Sequence, residues 1–332
     1  KLAVAVFKRS SASWLKDQDF WRFSGIFRDV FLYAAPSAHV RDMRVIADYD
    51  GINGIFSATL DIAGKCSVKS ILTDENGTVI AESNEKESVN WTIENSKPWS
   101  AEIPNLYTFT VILTDEDGNE IEVSRTKVGF RRFELKNGIM CLNGKRIIFK
   151  GINRHEFDAK TGRAITKEDM LFDIQFMKKN NINAVRTCHY PNNSLWYQLC
   201  DAYGIYLIDE TNLETHGTWQ KLGATDPSWN VPGSLPEWKE VVLDRAKSMY
   251  ERDKNHASVL IWSCGNESYC GEDIAAMSEY FRSVDPTRLV HYEGVTRVPN
   301  HQYDSITDME SRMYAKPQEV EEYLKQNSKN GR

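Results

Sequence analysis

Between residue 37 and about residue 133, apolar and polar residues alternate with a period of two. The runs HVRDMRVIADYD, GIFSATLDIAG, SVKSILTDENGTVI and LYTFTVILTDEDGNEIEVSRTKVGF carry the alternation, and the hairpin signals ENG and EDGN interrupt it. Turns at roughly 8–15-residue intervals predict an antiparallel, immunoglobulin-like β-sandwich over 36–133. From 134 onward the period changes. Apolar runs at IIFKGIN, INAVRT, IYLIDET, VLIWSCG, LVHYEG and DSITD predict six strands. Between and after them, helical patterns are predicted near 167–180, 193–203, 236–253, 271–284 and 317–326. In the third, Trp238, Val241, Val242, Ala246 and Met249 fall at amphipathic spacing. Strand alternating with helix implies a parallel sheet with helices outside it. Six such units in a row favour an incomplete (β/α)8 TIM barrel over 134–332, holding the first six βα units. Residues 1–35 offer one short strand, LAVAVFK, and an aromatic loop, DQDFWRFSGIFRDVFLYAAP. That is too little for a core and reads as the tail of another domain.

Composition narrows the partners. The chain has 332 residues, 41% hydrophobic and 27% charged, which is ordinary for a globular protein. A net charge of -6 points away from nucleic acid and anionic membranes. No apolar run approaches the roughly 20 residues that span a bilayer. The six cysteines, at 66, 141, 188, 200, 264 and 270, fit neither a disulfide framework nor a zinc ribbon. Free thiols in a reducing compartment are expected, hence a cytoplasmic location. The sequence opens at Lys1 rather than Met, which reads as a piece of something longer.

Polar residues gather where the barrel strands end: Asn153-Arg154-His155-Glu156, Arg186-Thr187-Cys188-His189, Asp209-Glu210-Thr211-Asn212, Asn266-Glu267 and Glu293. In barrels these C-terminal ends build the site. Glu267 follows the buried run VLIW, and desolvation there would raise its pKa and suit a general acid; a helix-capping loop residue is the other reading. Glu214 and His216, two residues apart in NLETHG, would point the same way from extended chain. With Glu267 they could form an oxygen and nitrogen set for Mg²⁺ or Mn²⁺, although E-x-H alone is also common in surface turns. Either His155 or His189 taken singly reads more commonly as a satisfied core histidine; two at equivalent strand ends, with Arg186 and Asn153, suggest a hydroxyl-binding pocket. In the DQDFWR loop, Asp17 and Asp19 precede Trp21; the loop is either solvated or reaches into a neighbouring site.

Three long stretches, GINRHEF, NAVRTCHYPNNSLWYQLCDAYGIYLIDETNLETHG and DKNHASVLIWSCGNES, closely resemble the large bacterial β-galactosidases of glycoside hydrolase family 2. DQDFWRFSGIFRDVFL resembles the end of the jelly-roll sugar-binding domain of those enzymes. The resemblance runs from about residue 2 to about 315. It implies retaining hydrolysis of terminal β-D-galactosides of the lactose type. It assigns Glu267 as acid/base and Glu214, His216 and Glu267 as Mg²⁺ ligands. His155, His189 and Asn266 would contact the galactose hydroxyls, Asp19 the galactose and a Na⁺ ion, and Arg186 would orient the nucleophile.

Retention needs a second carboxylate about 5 Å from the first. The family carries it on the seventh barrel strand, and that motif does not occur here. The remaining strand-end acids are Glu210, Glu293 and Glu310; none is assigned as the nucleophile, and Glu293 sits in HYEG, a pattern the family also carries without that role. The expectation is therefore a fragment of a β-galactosidase that is inactive alone. It would have open edges at strands one and six through which it could self-associate, while the parent would be a homo-oligomer. β-Glucuronidase and β-mannosidase are the near alternatives. A non-catalytic sugar- or partner-binding module, or part of a site completed by a second polypeptide, is the alternative from another class.

Overall fold

The computed structural model describes residues 2–16, 19, 25–215 and 231–327. Seven strands form the sandwich: β1 (His39–Tyr49), β2 (Gly54–Ala63), β3 (Ser67–Thr73), β4 (Val79–Ser83), β5 (Ser88–Ile93), β6 (Tyr107–Thr114) and β7 (Glu120–Val128). They pair in the orders β1-β2-β5 and β4-β3-β6-β7. The alternation read from sequence is the burial pattern itself. Phe56, Ala58 and Leu60 of β2 face inward, while Ile55, Thr59 and Asp61 face out. Phe56 stacks on Trp91 at 5.2 Å and meets Phe109 at 4.9 Å, forming the aromatic centre. Both predicted turns form hairpins by the same device. Asp74 Oδ1 accepts from the backbone of Asn76 and Thr78, and Asp115 Oδ1 from Asp117 and Asn119. Gly77 and Gly118 supply the positive φ, 82° and 84°.

A small antiparallel sheet of β8 (Phe133–Lys136), β9 (Ile139–Leu142) and β10 (Lys145–Arg146) follows. Its strands are too short to show a period. Five parallel strands come next, in sequence order: β11 (Gly151–Asn153), β12 (Ala184–Arg186), β13 (Tyr206–Glu210), β14 (Val259–Ser263) and β15 (Leu289–His291). The helices are α1 (Lys167–Lys179), α2 (Ser194–Tyr203), α3 (Pro236–Asp253), α4 (Glu272–Val284) and α5 (Pro317–Asn327). Their starts are set locally. Thr166 and Asp169 form a capping box for α1, Asn193 caps α2, and Pro236 occupies the first turn of α3. Buried side chains from α1 to α4 and the strands make the barrel core, with Trp196, Trp262 and Phe281 fully buried.

Three expectations are corrected. The DSITD segment is not a sixth strand: Asp304–Ile306 is a 3-10 turn, tethered where Ser278 Oγ donates to the Ile306 carbonyl. Asp308 does bond β15, its N donating to Val290 O at 2.9 Å and its Oδ2 accepting from Val290 N at 2.7 Å, but no strand ladder is built. Five strands therefore stand among the described residues, and the open edges are β11 and β15. LAVAVFK forms no strand: it pairs with no strand among the described residues, and Val4, Val6 and Phe7 are exposed. On α3, Val241 is exposed, and of the five residues at the predicted spacing Val242, Ala246 and Met249 are the ones that bury.

Trp99 locks the sandwich to the barrel. It is fully buried, packs edge-on against Tyr206 at 5.8 Å and donates Nε1–H to the Asp201 carbonyl at 2.9 Å. Trp99→Ala should cost about 3–5 kcal/mol, seen as a lower denaturant midpoint, whereas Trp99→Phe should cost clearly less.

Candidate active site

The C-terminal ends of β11 to β15 converge on a hydrogen-bonded carboxylate, Glu210, at the end of β13. Its Oε1 accepts from His189 Nδ1 at 2.6 Å; its Oε2 accepts from Arg186 Nε at 2.6 Å and Ser263 Oγ at 2.7 Å. Burial would raise its pKa, but Arg186 and His189 outweigh burial and hold it down at about 2. Arg186 spans the pocket, because its Nη2 also donates to Asn266 Oδ1 at 2.8 Å. That contact fixes the Asn266 amide, whose Nδ2 donates to Glu214 Oε1 at 2.7 Å. Arg186, Glu210, Asn266 and Glu214 thus form one continuous network across the ends of three strands, β12, β13 and β14.

Glu214 sits where the N-terminal segment meets the barrel. Its backbone N donates to Leu15 O at 3.0 Å, and its Oε2 accepts from Asp19 N at 3.2 Å. Burial pushes the Glu214 carboxyl up to about 8, with the Asp19 charge adding to it. Asp19 Oδ2 lies 3.8 Å from His189 Nε2, so Asp19, His189 and Glu214 offer ligand atoms within 4.8 Å of one another. His155 meets the His189 ring edge-on at 5.7 Å, and burial lowers its pKa, which favours the neutral ring. His216, Asp17 and Trp21 lie outside the described residues.

Glu267 is buried, with φ at 33° in the left-handed region. Its backbone N donates to Glu293 Oε1 at 2.7 Å, and Arg297 Nη2 lies 3.5 Å from Glu267 Oε1 and 3.8 Å from Glu293 Oε2. Two carboxyls therefore flank one guanidinium. Burial raises the Glu293 pKa. Gly265, with φ 133°, lets this turn pass Leu213 where a Cβ would approach to 2.8 Å. Glu310, one of the strand-end acids expected from sequence, is instead an exposed residue paired with Arg312 at 2.8 Å.

Residues 133–332 match the family description "Glycosyl hydrolases family 2, TIM barrel domain", 38–131 match "Glycosyl hydrolases family 2" and 1–36 match its sugar binding domain. The chain belongs to glycosyl hydrolases family 2. Among its relatives, the β-galactosidase of Clostridium acetobutylicum is 61% identical over 338 residues, covering 99% of this chain and 37% of that protein. That of Halalkalibacterium halodurans is 59% identical over 335 residues, covering 98% and 33%. The β-galactosidase large subunit of Lactobacillus helveticus is 52% identical, covering 97% and 53%. The chain thus spans about a third of the first two proteins and about half of the third. Among solved structures, the β-D-glucuronidase of Dictyoglomus thermophilum superposes with a TM-score of 0.77 at 26% identity, covering 87% of this chain and 50% of that one. A Ruminococcus gnavus β-glucuronidase in complex with D-glucaro 1,5-lactone gives 0.72 at 25%, covering 82% and 47%.

In this family 2 chain, the six described barrel-site residues read from sequence (His155, Arg186, His189, Glu214, Asn266 and Glu267) follow the ends of barrel strands, and Asp19 is brought to Glu214 and His189. The role of Glu210 as a hub went unassigned in sequence, although IDE at a strand end is its signal. The Glu293–Arg297 pairing carries no sequence signal, since its residues meet only through a 3-10 turn at Glu293–Arg297. All six cysteines are free, and burial pushes the Cys188 thiol up to about 12. No helix among the described residues is long and apolar enough to cross a membrane.

Breaking the network should be costly. In Arg186→Gln, Glu210 is left buried without its guanidinium, an expected loss of about 3–5 kcal/mol. The pH sign follows from the depressed Glu210 pKa. Its stabilisation is complete above the ordinary value of 4.5 and fades as pH falls toward about 2. Arg186→Gln should therefore lower the Tm at pH 7 and shift acid unfolding to higher pH; an unchanged acid midpoint would show the pair to be energetically idle.

Proposed function

We propose that this chain carries the acid/base and much of the sugar pocket of a retaining β-galactosidase acting on lactose-type β-D-galactosides. The observation that carries the reading is the set of sequence relatives, β-galactosidases at up to 61% identity across almost all of this chain. The network from Arg186 through Asn266 to Glu214 supports it. Glu267 donates a proton to the departing glycosidic oxygen, then takes one from the incoming water. Its left-handed turn and the Glu293 bond fix where the carboxyl starts. Asn266, held by Arg186, offers its amide to a sugar hydroxyl, as do the rings of His155 and His189. Asp19, beside Glu214 and His189, closes the rim of the pocket.

Glu214, with His216 and Glu267, would hold Mg²⁺ or Mn²⁺, and Na⁺ would sit near Asp19. The donors suit a hard cation: a buried carboxyl raised to about 8 beside a second carboxylate is a site short of positive charge. When bound, the divalent ion would supply charge that favours the ionised form of the surrounding acids.

The solved glucuronidase structures favour a second reading, but a glucuronate carboxylate needs an available cation. Arg186 is committed to Glu210 and Asn266. Arg154 is committed to Asp173 at 2.9 Å and Asn192 at 2.7 Å, with its guanidinium over Trp196. The test is a chimaera in which these 332 residues replace the matching segment of the C. acetobutylicum β-galactosidase. Hydrolysis of aryl β-D-galactosides without hydrolysis of aryl β-D-glucuronides is expected. The reverse preference would overturn the reading.

A further inference from the structure

Away from the strand-end site, a cavity of about 220 Å³ lies in the seam between the sandwich and the opposite face of the barrel. Five cationic side chains line it: Arg44, Arg131, Arg132, Lys254 and Arg288. Three have acid partners. Arg132 pairs with Asp48, Lys254 with Asp42 and Glu251, and Arg288 with Asp285 at 2.6 Å. The other two have none. Arg44 donates Nη2 to the Val284 carbonyl at the end of α4, and no carboxylate among the described residues lies within ion-pair distance of it. Arg131 is 6% exposed and donates Nε to Ala257 O and Nη2 to Val259 O, the latter at 2.7 Å. Its Nη1 has no acceptor among the described residues.

A guanidinium buried to this degree normally carries a carboxylate partner. Here burial, with Arg288 adding repulsion, pushes Arg131 down to about 9, and the distant Asp285, Asp201 and Asp48 do not restore it. The carboxylates that face the cavity are already engaged. Asp48 is taken by Arg132, and Asp285 accepts from Arg288, Trp262 and Thr287. His256, also on the wall, is bound to Asp201 at 2.6 Å. The seam therefore holds two guanidinium groups that have no ion-pair partner among the described residues and donate to carbonyl oxygens. The volume is below the roughly 300–1,000 Å³ of drug-sized pockets but ample for a tetrahedral anion and water.

We propose that this seam is a binding site for a small oxyanion of the phosphate or sulfate class, held by Arg131 and Arg44. The anion would bridge the two domains, since Arg44 belongs to β1 and Arg131 anchors the start of β14. It would stabilise the folded chain by mass action.

The experiment is titration of the chain with inorganic phosphate, ionic strength held constant with sodium chloride, read by calorimetry and by Tm. Saturable binding of one phosphate with a rising Tm is expected. Arg131→Gln should abolish it. Should that variant unfold, Arg44→Gln decides: it lies on a half-exposed strand position and should weaken phosphate binding at least tenfold with the Tm in chloride unchanged. Arg163→Gln, in a separate cation-lined cavity of about 450 Å³ near Phe27 and Tyr190, should leave binding intact. No saturable binding, binding indifferent to Arg44→Gln, or binding lost in Arg163→Gln instead would each overturn the proposal.

Discussion

Incubated alone with an aryl β-D-galactoside, the 332-residue chain is expected to release no measurable phenol, with or without Mg²⁺. Retaining hydrolysis needs an ionised carboxylate free to attack the anomeric carbon, about 5 Å from the acid/base. Beside Glu267, none of the four other buried glutamates among the described residues meets that requirement. Glu210 is ionised, but both oxygens are occupied by His189, Arg186 and Ser263, and it has no exposed surface. Glu293 is driven toward its protonated form by burial and already accepts from Glu267 N. Glu214, raised to about 8, is mostly protonated at neutral pH and is bonded through both oxygens. Glu156 is held by Asn193 N at 2.6 Å and Arg28 at 2.7 Å. Without a covalent step the rate should fall at least about 10⁴-fold below that of the chimaera. The instructive contrary result is turnover that disappears in Glu293→Gln: Glu293 would then be the nucleophile, and its partner Arg297 the group that keeps it ionised.

Much of this arrangement was legible in the sequence, and the illegible parts have physical reasons. The sandwich and the five helices could be read because their signals are local: a buried face of period two, Asp-led turns with Gly at positive φ, the Thr166–Asp169 box, Pro236 at a helix start. The barrel-site residues were legible because a parallel strand delivers whatever follows it to one face, so position along the chain stood in for position in space. The short sheet from Phe133 to Arg146 escaped because strands of two to four residues carry no period. DSITD was misread for the opposite reason. An apolar residue between polar ones suggests a strand, yet a single buried side chain, Ile306, cannot set a register, and the Ser278 hydroxyl draws its carbonyl to α4 instead. The hub at Glu210 depends on three side chains, from the ends of the two neighbouring strands β12 and β14, turning inward together. No spacing along one segment encodes that.

The same geometry predicts a large and selective effect of Glu267→Gln in the chimaera. Glutamine keeps the shape and the backbone bond to Glu293 but cannot give up a proton. The loss should therefore scale with how much the leaving group needs one. For lactose, whose leaving sugar alkoxide is strongly basic, kcat should fall by about 10²–10⁴-fold, the usual contribution of general acid catalysis. For a dinitrophenyl galactoside, whose phenolate departs unaided, the first step should be nearly unaffected. Its turnover would then be limited by the second step, where Glu267 activates water, and a burst of phenolate followed by a slow steady state should appear. Azide, a nucleophile that needs no base, should restore that slow phase and yield a galactosyl azide. A merely structural Glu267 would depress both substrates equally and show neither burst nor azide rescue. The two substrates measured on one variant thus separate a proton donor from a residue that only holds Arg297 and Glu293 in place.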